Sequence, residues 1–125
     1  MVRAVGELLV IRAGDLREPV IIEEPSEAAA AENDYGEIDL TQATGWNRVA
    51  ERYAQVMTQG SREVERAQQI QPDISHIVRM RYDNITKDVH PKMRLLIRGN
   101  PVHIAGIVNV NLGNEFLELT CRERV

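Results

Sequence analysis

Residues 93–110 read MRLLIRGNPVHIAGIVNV, and this stretch decides the fold that the sequence predicts. Apolar residues dominate both halves, whereas Gly99, Asn100 and Pro101 between them are of the types that interrupt strands and form turns. The stretch therefore predicts two strands joined as a hairpin, the basic unit of an antiparallel sheet.

Strands are also predicted on both sides of this hairpin, because apolar and polar residues alternate there. Residues 115–125, EFLELTCRERV, alternate in this way after Asn111 to Asn114 have turned the chain. Residues 75–82, SHIVRMRY, alternate before the hairpin. We expect these four late strands to form a meander, in which each strand pairs with the next.

The first half of the chain supplies two more strands and one helix. The strands are predicted at Arg17–Glu24 and within NRVAERYAQVMT, residues 47–58. The helix is predicted within GSREVERAQQIQPD, residues 60–73, where Ser61 is a suitable N-cap and Pro72 ends the helical pattern. Its apolar face is formed by residues at helical spacing, namely Val64, Ala67 and Ile70.

Together these elements predict a mainly β protein. We expect a small antiparallel β-barrel or compact sandwich of about six strands, with one α-helix and one long acidic loop. At 125 residues the chain has the size of a single domain. Within it, residues 1–12 form an N-terminal extension and residues 25–47 form the long loop.

Composition excludes several classes of protein. Aromatic residues make up only 4% of the chain, too few for a base-stacking platform. No stretch is apolar enough to span a membrane, and the apolar run at Leu8–Ile11 is too short for a signal peptide, so we expect a cytosolic protein. Cys121 is the single cysteine and cannot form an internal disulfide, and its position on the apolar side of the last strand predicts a buried structural thiol.

The long loop is strongly acidic. Residues 25–46, PSEAAAAENDYGEIDLTQATGW, contain no Lys or Arg. Residues 18–47 carry eight acids and no base, a charge of −8, and the other 11 acids and all 15 bases give the rest of the chain +4. Connections of this length are uncommon in compact domains unless they are functional or disordered, although a simple solvated loop is the alternative.

Catalytic and metal-binding patterns are not found. The candidate ligands His76, His90, His103 and Cys121 lack the paired spacing of a metal site, and the glycines are scattered rather than grouped in a phosphate-binding loop. Glu23 and Glu24 are adjacent in a strand and so point to opposite sides. We therefore expect no metal, no cofactor and no enzymatic activity, and a small hydrolase is a distant alternative.

Four arginines form the remaining candidate surface. A possible interaction strip across neighbouring strands would contain Arg79, Arg81, Arg94 and Arg98. Small barrels use such strips to bind nucleic acid. Because aromatic residues are missing beside it, a solvated face or a protein contact surface is the favoured interpretation.

Several stretches in this order resemble the phage head-tail joining family, the head closure or head completion proteins of long-tailed phages and prophages. They are AGDLREPVIIEEP (13–25), DYGE (34–37), Trp46, AQVMTQGSREVERAQQ (54–69), VRMRYDNI (78–85), MRLLIRGNPVHIAGIVN (93–109) and LELTCRE (117–123). No single piece is specific, but their order and spacing cover residues 13–123. The segment before Arg12 and the alanine-rich stretch at residues 25–33 depart from the family pattern.

The resemblance implies a structural role in the neck of a virion. Such proteins are small β-barrels that add to the connector beneath the portal after DNA packaging, form a homo-oligomeric ring and offer a platform to the tail completion protein. Twelvefold symmetry is the natural expectation for the ring. DNA would pass through the channel without specific recognition, no membrane would be involved, and assembly would occur in the cytoplasm of the bacterial host.

In that setting the acidic loop has two possible roles, and both concern Glu27, Glu32, Asp34, Glu37 and Asp39. Facing the channel, these acids would keep the wall from binding phosphate while DNA leaves. Alternatively, they would dock into a basic groove of a neighbouring subunit or of the connector. The second function that the sequence allows is a small nucleic-acid-binding β-barrel.

Overall fold

A computed structural model of the chain describes residues 13–26 and 45–123. Its strands and helix are, in chain order, β1 (Glu18–Pro25), β2 (Trp46–Met57), α1 (Arg62–Ile70), β3 (His76–Arg81), β4 (Arg94–Ile97), β5 (Asn100–Asn109) and β6 (Phe116–Arg122). Short 3-10 turns lie at Ala13–Asp15, Thr86–Asp88 and Val110–Leu112. The prediction of a mainly β protein with one helix is confirmed. No helix of the described part is long and apolar enough to cross a membrane.

The six strands close into an antiparallel barrel in the order β1-β2-β3-β6-β5-β4. The expected four-strand meander is therefore wrong at one step, because β3 pairs with β2 and β6 and not with β4. The connection at residues 82–93 instead crosses from one side of the barrel to the other. It buries Thr86, Val89 and Met93 on the way, and the last two belong to the core.

The barrel core is aliphatic, as the low aromatic content predicts. The residues that are fully shielded from solvent include Val20, Ile22, Leu95 and Leu119. Cys121 lies among them, also fully buried, and this burial raises the pKa of its thiol to about 12. The prediction of a buried structural thiol is confirmed, because a thiol that stays protonated is a poor nucleophile.

The hairpin that decides the fold turns at Arg98 and Gly99. Both residues have positive φ angles, 51° and 81°, as a two-residue type I′ turn requires. The predicted hairpin is confirmed, but Asn100 and Pro101 belong to β5 and not to the turn. Glycine suits the second turn position because it has no Cβ to oppose a positive φ.

The helix lies outside the barrel and packs against β3. The Ser61 hydroxyl accepts a hydrogen bond from the backbone N–H of Val64, which confirms the predicted N-cap. Val64 is buried together with Ile74 and Ile77, all three outside the barrel core. Ile70, the last residue of the helix, was expected on the same face but is 86% exposed.

Asp83 fixes the start of the crossing connection. Its carboxylate accepts hydrogen bonds from the backbone N–H groups of Ile85 and Thr86 and from Nε of Arg52, at 2.8, 2.9 and 2.8 Å. The buried Thr86 hydroxyl in turn donates to the carbonyl of Arg81. Burial by itself raises the pKa of Asp83. The three hydrogen bonds to its carboxylate outweigh this effect and lower the pKa from 3.8 to about 2.

Replacing Asp83→Asn should therefore weaken the fold in a pH-dependent way. A carboxyl whose pKa falls from 3.8 to about 2 on folding stabilises the protein above pH 3.8, and this contribution is lost as the pH falls toward 2. Because the side chain is 36% exposed, solvent screens its interactions, and we expect the free energy of unfolding to fall by about 1 kcal/mol at pH 7. Urea unfolding from pH 7 to pH 2 measures it, with the exposed Asp88→Asn as control. Equal acid sensitivity of wild type and Asp83→Asn would contradict the assignment.

Candidate functional site

The acidic loop leaves the barrel from one end, which we call the loop end. There Pro25 lies opposite Trp46, and the N–H of Ser26 donates to the carbonyl of Gly45 at 3.0 Å. The two chains approach so closely that a Cβ on Gly45 would lie 2.7 Å from Oγ of Ser26. The loop therefore starts and ends at one point of the barrel. Its predicted site residues Glu27, Glu32, Asp34, Glu37 and Asp39 lie outside the described residues, so their role stays a prediction.

A cluster of four side chains supports the root of this loop. The Arg94 guanidinium lies 4.2 Å from the centroid of the Trp46 ring system, and its Nε donates to Glu23 at 2.8 Å. The ion pair is largely shielded, with side chains 21% and 13% exposed. A cation over an aromatic ring gains stability as both are removed from water. Strands β1, β2 and β4 are thus tied together where the loop begins.

His103 is the fourth member of this cluster. Its ring centroid lies 6.1 Å from that of Trp46, and its Nδ1 is buried without a hydrogen-bond partner among the described residues. Burial, followed by the nearby charges of Arg94 and Arg122, lowers the pKa of His103. The imidazole is therefore neutral at physiological pH.

The structure does not bring the four predicted strip arginines together. Arg79 and Arg81 belong to β3, whereas Arg94 begins β4 and Arg98 follows it, and these strands are not neighbours in the barrel. The expectation of a strip across neighbouring strands is corrected for this reason. A role for individual arginines in contacts stays a prediction.

Three of these arginines are also neutralised by carboxylates. Arg79 is buried and binds Glu118 at 2.9 Å, Arg94 binds Glu23, and Arg98 binds Glu18. Arg81 differs, because it is exposed and lies over the Phe116 ring at 5.7 Å from the centroid. A phosphate backbone would have to compete with the carboxylates for three of the four cations.

The opposite end of the barrel carries an open groove of about 730 Å³. We call it the mouth groove, and apolar side chains of Val56, Ile97, Pro101 and Val102 contribute to its lining. No pattern in the sequence indicates this groove, since its lining comes from the ends of strands that are distant in the chain.

Polar residues complete this groove, including Glu18, His76, Arg98 and Glu123. A hydrogen bond from Arg98 lowers the pKa of Glu18, and burial lowers the pKa of His76 although Glu123 opposes that shift. Nδ1 of His76 lies 2.7 Å from the Ser75 hydroxyl. Glu123 is exposed and makes no ion pair with a described residue.

The histidines do not converge. They lie at the start of β3, in the crossing connection and within β5, as His76, His90 and His103. Within residues 13–26 and 45–123, no three side chains of His, Cys, Asp or Glu are grouped closely enough to hold a metal ion.

Comparison with protein families gives a match. The family model described as phage head completion protein matches residues 11–124, which is nearly the whole chain. The match begins after most of the N-terminal extension, whose first ten residues lie outside it. Comparison with curated protein sequences gives no significant match.

Solved structures share the fold. The solution structure of a protein from Shigella flexneri 2a has a TM-score of 0.59 at 19% identity, over 90% of this chain and 96% of that one. A chain of the virion of a native gene transfer agent particle has a TM-score of 0.56 at 15% identity, over 88% and 96%. Each of the two resemblances covers 96% of the other protein's chain, so the barrel is similar to almost the whole of these chains and not to a fragment of them.

Proposed function

Because the chain belongs to the phage head completion protein family, and is thus a structural protein of the phage particle, we propose that it joins head to tail. In this proposal residues 1–125 act as one head-tail joining domain. Copies form a ring under the portal or its connector, close the DNA-filled head and offer the tail-attachment platform. The family match over residues 11–124 is the observation that carries the proposal.

The geometry of the barrel supports a structural role. It has two different ends, one carrying the acidic loop and the other the mouth groove, and the closed sheet leaves a rigid body between them. A rigid body with distinct surfaces is suited to holding several partners at fixed positions. We propose the portal or connector protein and the tail completion protein as its partners, with assembly in the host cytoplasm.

The acidic loop has its place in the same proposal. Its root is fixed by the Ser26–Gly45 hydrogen bond and by the shielded Arg94–Glu23 pair, so the loop would leave every copy at the same point of the barrel. In a ring, the loops of all copies would form one acidic band. That band would either face the DNA channel or dock on a basic neighbour.

Nucleic-acid binding and catalysis are not part of the proposal. Three of the four strip arginines are already paired with carboxylates, so the described surface offers no continuous basic path for a phosphate backbone. DNA would pass the ring without specific recognition. In this proposal the protein acts without a cofactor and without an enzymatic step.

Sedimentation of the isolated protein, alone and with its connector, tests the proposed function. We expect a monomer or weak association in dilute solution, and a stoichiometric complex once the connector supplies many sites at once. A stable large ring without connector would contradict the dependence on a template. Failure to bind the connector, together with tight salt-dependent binding to DNA, would contradict the function itself and favour the nucleic-acid-binding alternative.

A further inference from the structure

The turn between β5 and β6 presents an apolar side chain to solvent. Leu112 is 87% exposed, and its φ angle is +55°, as are those of Asn111 and Asn114. Positive φ is uncommon for residues other than glycine and is retained where the surrounding structure enforces it. This backbone displays Leu112 where a relaxed turn would place a polar residue or a glycine.

The surrounding structure does enforce this turn. The Asn109 side-chain amide donates to Oδ1 of Asn114 at 2.7 Å, and the N–H of Asn114 donates back to Oδ1 of Asn109 at 3.1 Å. The buried Val110 anchors the turn, and its carbonyl accepts a hydrogen bond from the N–H of Gly113. Leu112 is therefore held in advance, and little conformational entropy is lost when a partner binds it.

Further residues extend this surface at the loop end of the barrel. Val108 is 58% exposed, and alternation along the two paired strands places it with Phe116 on the outer face. The exposed Arg81 lies over Phe116 and makes no ion pair with a described carboxylate. We call these four residues, Arg81, Val108, Leu112 and Phe116, the tip.

The tip and the mouth groove complement each other. Apart from Arg81 the tip is apolar, and the groove combines apolar side chains with polar ones that include Glu123. Neither Arg81 nor Glu123 forms an ion pair with a described residue. The tip lies where β3 and β5 end and β6 starts, and the groove lies where β3 and β5 start and β6 ends. The two surfaces are thus at opposite ends of the barrel, and one copy cannot fill its own groove with its own tip.

We propose that the tip of one copy docks into the mouth groove of the next copy, with Leu112 against Val56 and Pro101, the apolar lining residues that are not buried, and Arg81 beside Glu123. Two different surfaces then meet, so the contact is head-to-tail, and such contacts generate closed rings when the rotation between copies closes. The inference rests on the proposed function for the place of this ring in the particle. The contact itself rests on the complementary ends of the barrel.

Disulfide trapping between two variants tests this contact. The natural Cys121 is fully buried and leaves the surface free of reactive thiols. Leu112→Cys protein is mixed with Thr58→Cys protein, whose new thiol lies in the groove lining, and is mildly oxidised at high concentration. The control replaces Thr58→Cys with Glu51→Cys, an exposed position on β2 outside the groove.

We expect roughly tenfold more linked pairs of Leu112→Cys with Thr58→Cys than of the control pair, because docking raises the effective thiol concentration. Equal yields, or a main product that links two Leu112→Cys copies, would overturn the proposal. Trapping that occurs only after residues 1–10 are removed would also overturn it. That result would mean that the chain's own N-terminal segment occupies the groove in the intact protein.

A second variant distinguishes this inference from the proposed function. Leu112→Asp should leave the melting temperature unchanged, because the side chain is exposed, but should weaken ring formation on the connector roughly tenfold. Rings that form normally from Leu112→Asp protein would overturn the tip contact alone. Trapping as expected, combined with failure to bind the connector, would overturn the proposed function alone.

Discussion

Particles that carry a chain shortened within residues 27–39 should fill with DNA and then leak it or fail to join tails. The barrel should still fold, because the deletion leaves in place the Ser26–Gly45 hydrogen bond and the cluster at the root of the loop, in which Arg94 contacts Trp46. A shorter loop changes closure entropy by only about 1 kcal/mol. Cooperative unfolding of the variant in urea, together with electron microscopy and DNA retention of the particles, measures both effects.

Reversing the charge of the same loop should be at least as damaging. Lysines in place of Glu27, Glu32, Asp34, Glu37 and Asp39 would attract phosphate in the channel or repel a basic docking groove. We expect slow DNA ejection in the first case and blocked assembly in the second, so the variant also separates the two proposed roles of the loop.

A matched control makes the charge experiment specific. Three exposed acids outside the loop, Glu65, Asp88 and Glu115, are changed to lysine and compared with a variant that changes Glu32, Asp34 and Glu37. Both variants shift the net charge equally, and only the loop variant should lose infectivity. Normal infectious particles from the shortened and the reversed loop would reduce this segment to a solvated linker.

The second large effect concerns stability. Leu119→Ala should destabilise the barrel by about 2 to 5 kcal/mol, because deletion of a buried leucine removes apolar contacts and leaves a cavity. Leu119 is fully buried and lies opposite Val78 on β3 and Ile107 on β5. A loss of this size is a large part of the total stability of a small domain, roughly 5 to 15 kcal/mol.

Leu112→Ala is the matched control, since it deletes the same atoms from a side chain that is 87% exposed. It should change the free energy of unfolding by less than about 0.5 kcal/mol. Urea unfolding at pH 7 compares the two variants. Equal stability losses would contradict the placement of Leu119 inside the barrel and Leu112 outside it.

The local parts of this structure follow from the sequence. Alternation predicts the strands, Ser61 predicts the start of the helix, and the chemistry of Gly99, Asn100 and Pro101 predicts the hairpin, although its turn lies at Arg98 and Gly99. These features depend on neighbours in the chain, so a short window contains the information that determines them. The aliphatic core and the buried Cys121 follow from composition and alternation in the same way.

The pairing of distant strands does not follow from such windows. Short spacing favours pairing of β3 with β4, but β3 lies between β2 and β6, and the connection that leads from β3 to β4 buries Val89 and Met93 in the barrel core. The same limit applies to the charges. Arg94 and Arg98 resembled parts of a basic strip, yet their carboxylate partners Glu23 and Glu18 lie 71 and 80 residues away.

The candidate contact surfaces are also invisible in the sequence. The mouth groove is assembled from strand ends that only closure of the barrel brings together. The turn at Asn111–Asn114 was predicted from its asparagines, but nothing in those residue types indicates that Leu112 adopts a positive φ and remains exposed. Trp46 was noted within a family pattern, and its contact with Arg94 appears only once β2 and β4 are placed on either side of β1.

The central claim is that this barrel forms a ring between head and tail, and a cryo-electron microscopy reconstruction of the particle neck tests it most directly. We predict a ring of six-stranded barrels directly below the portal or its connector, with every copy in the same orientation relative to its neighbour and the tail attached beneath. The expected symmetry is that of the portal, twelvefold. A neck in which head and tail are joined without these barrels, or barrels located on the head surface or in the tail tube, would contradict the account.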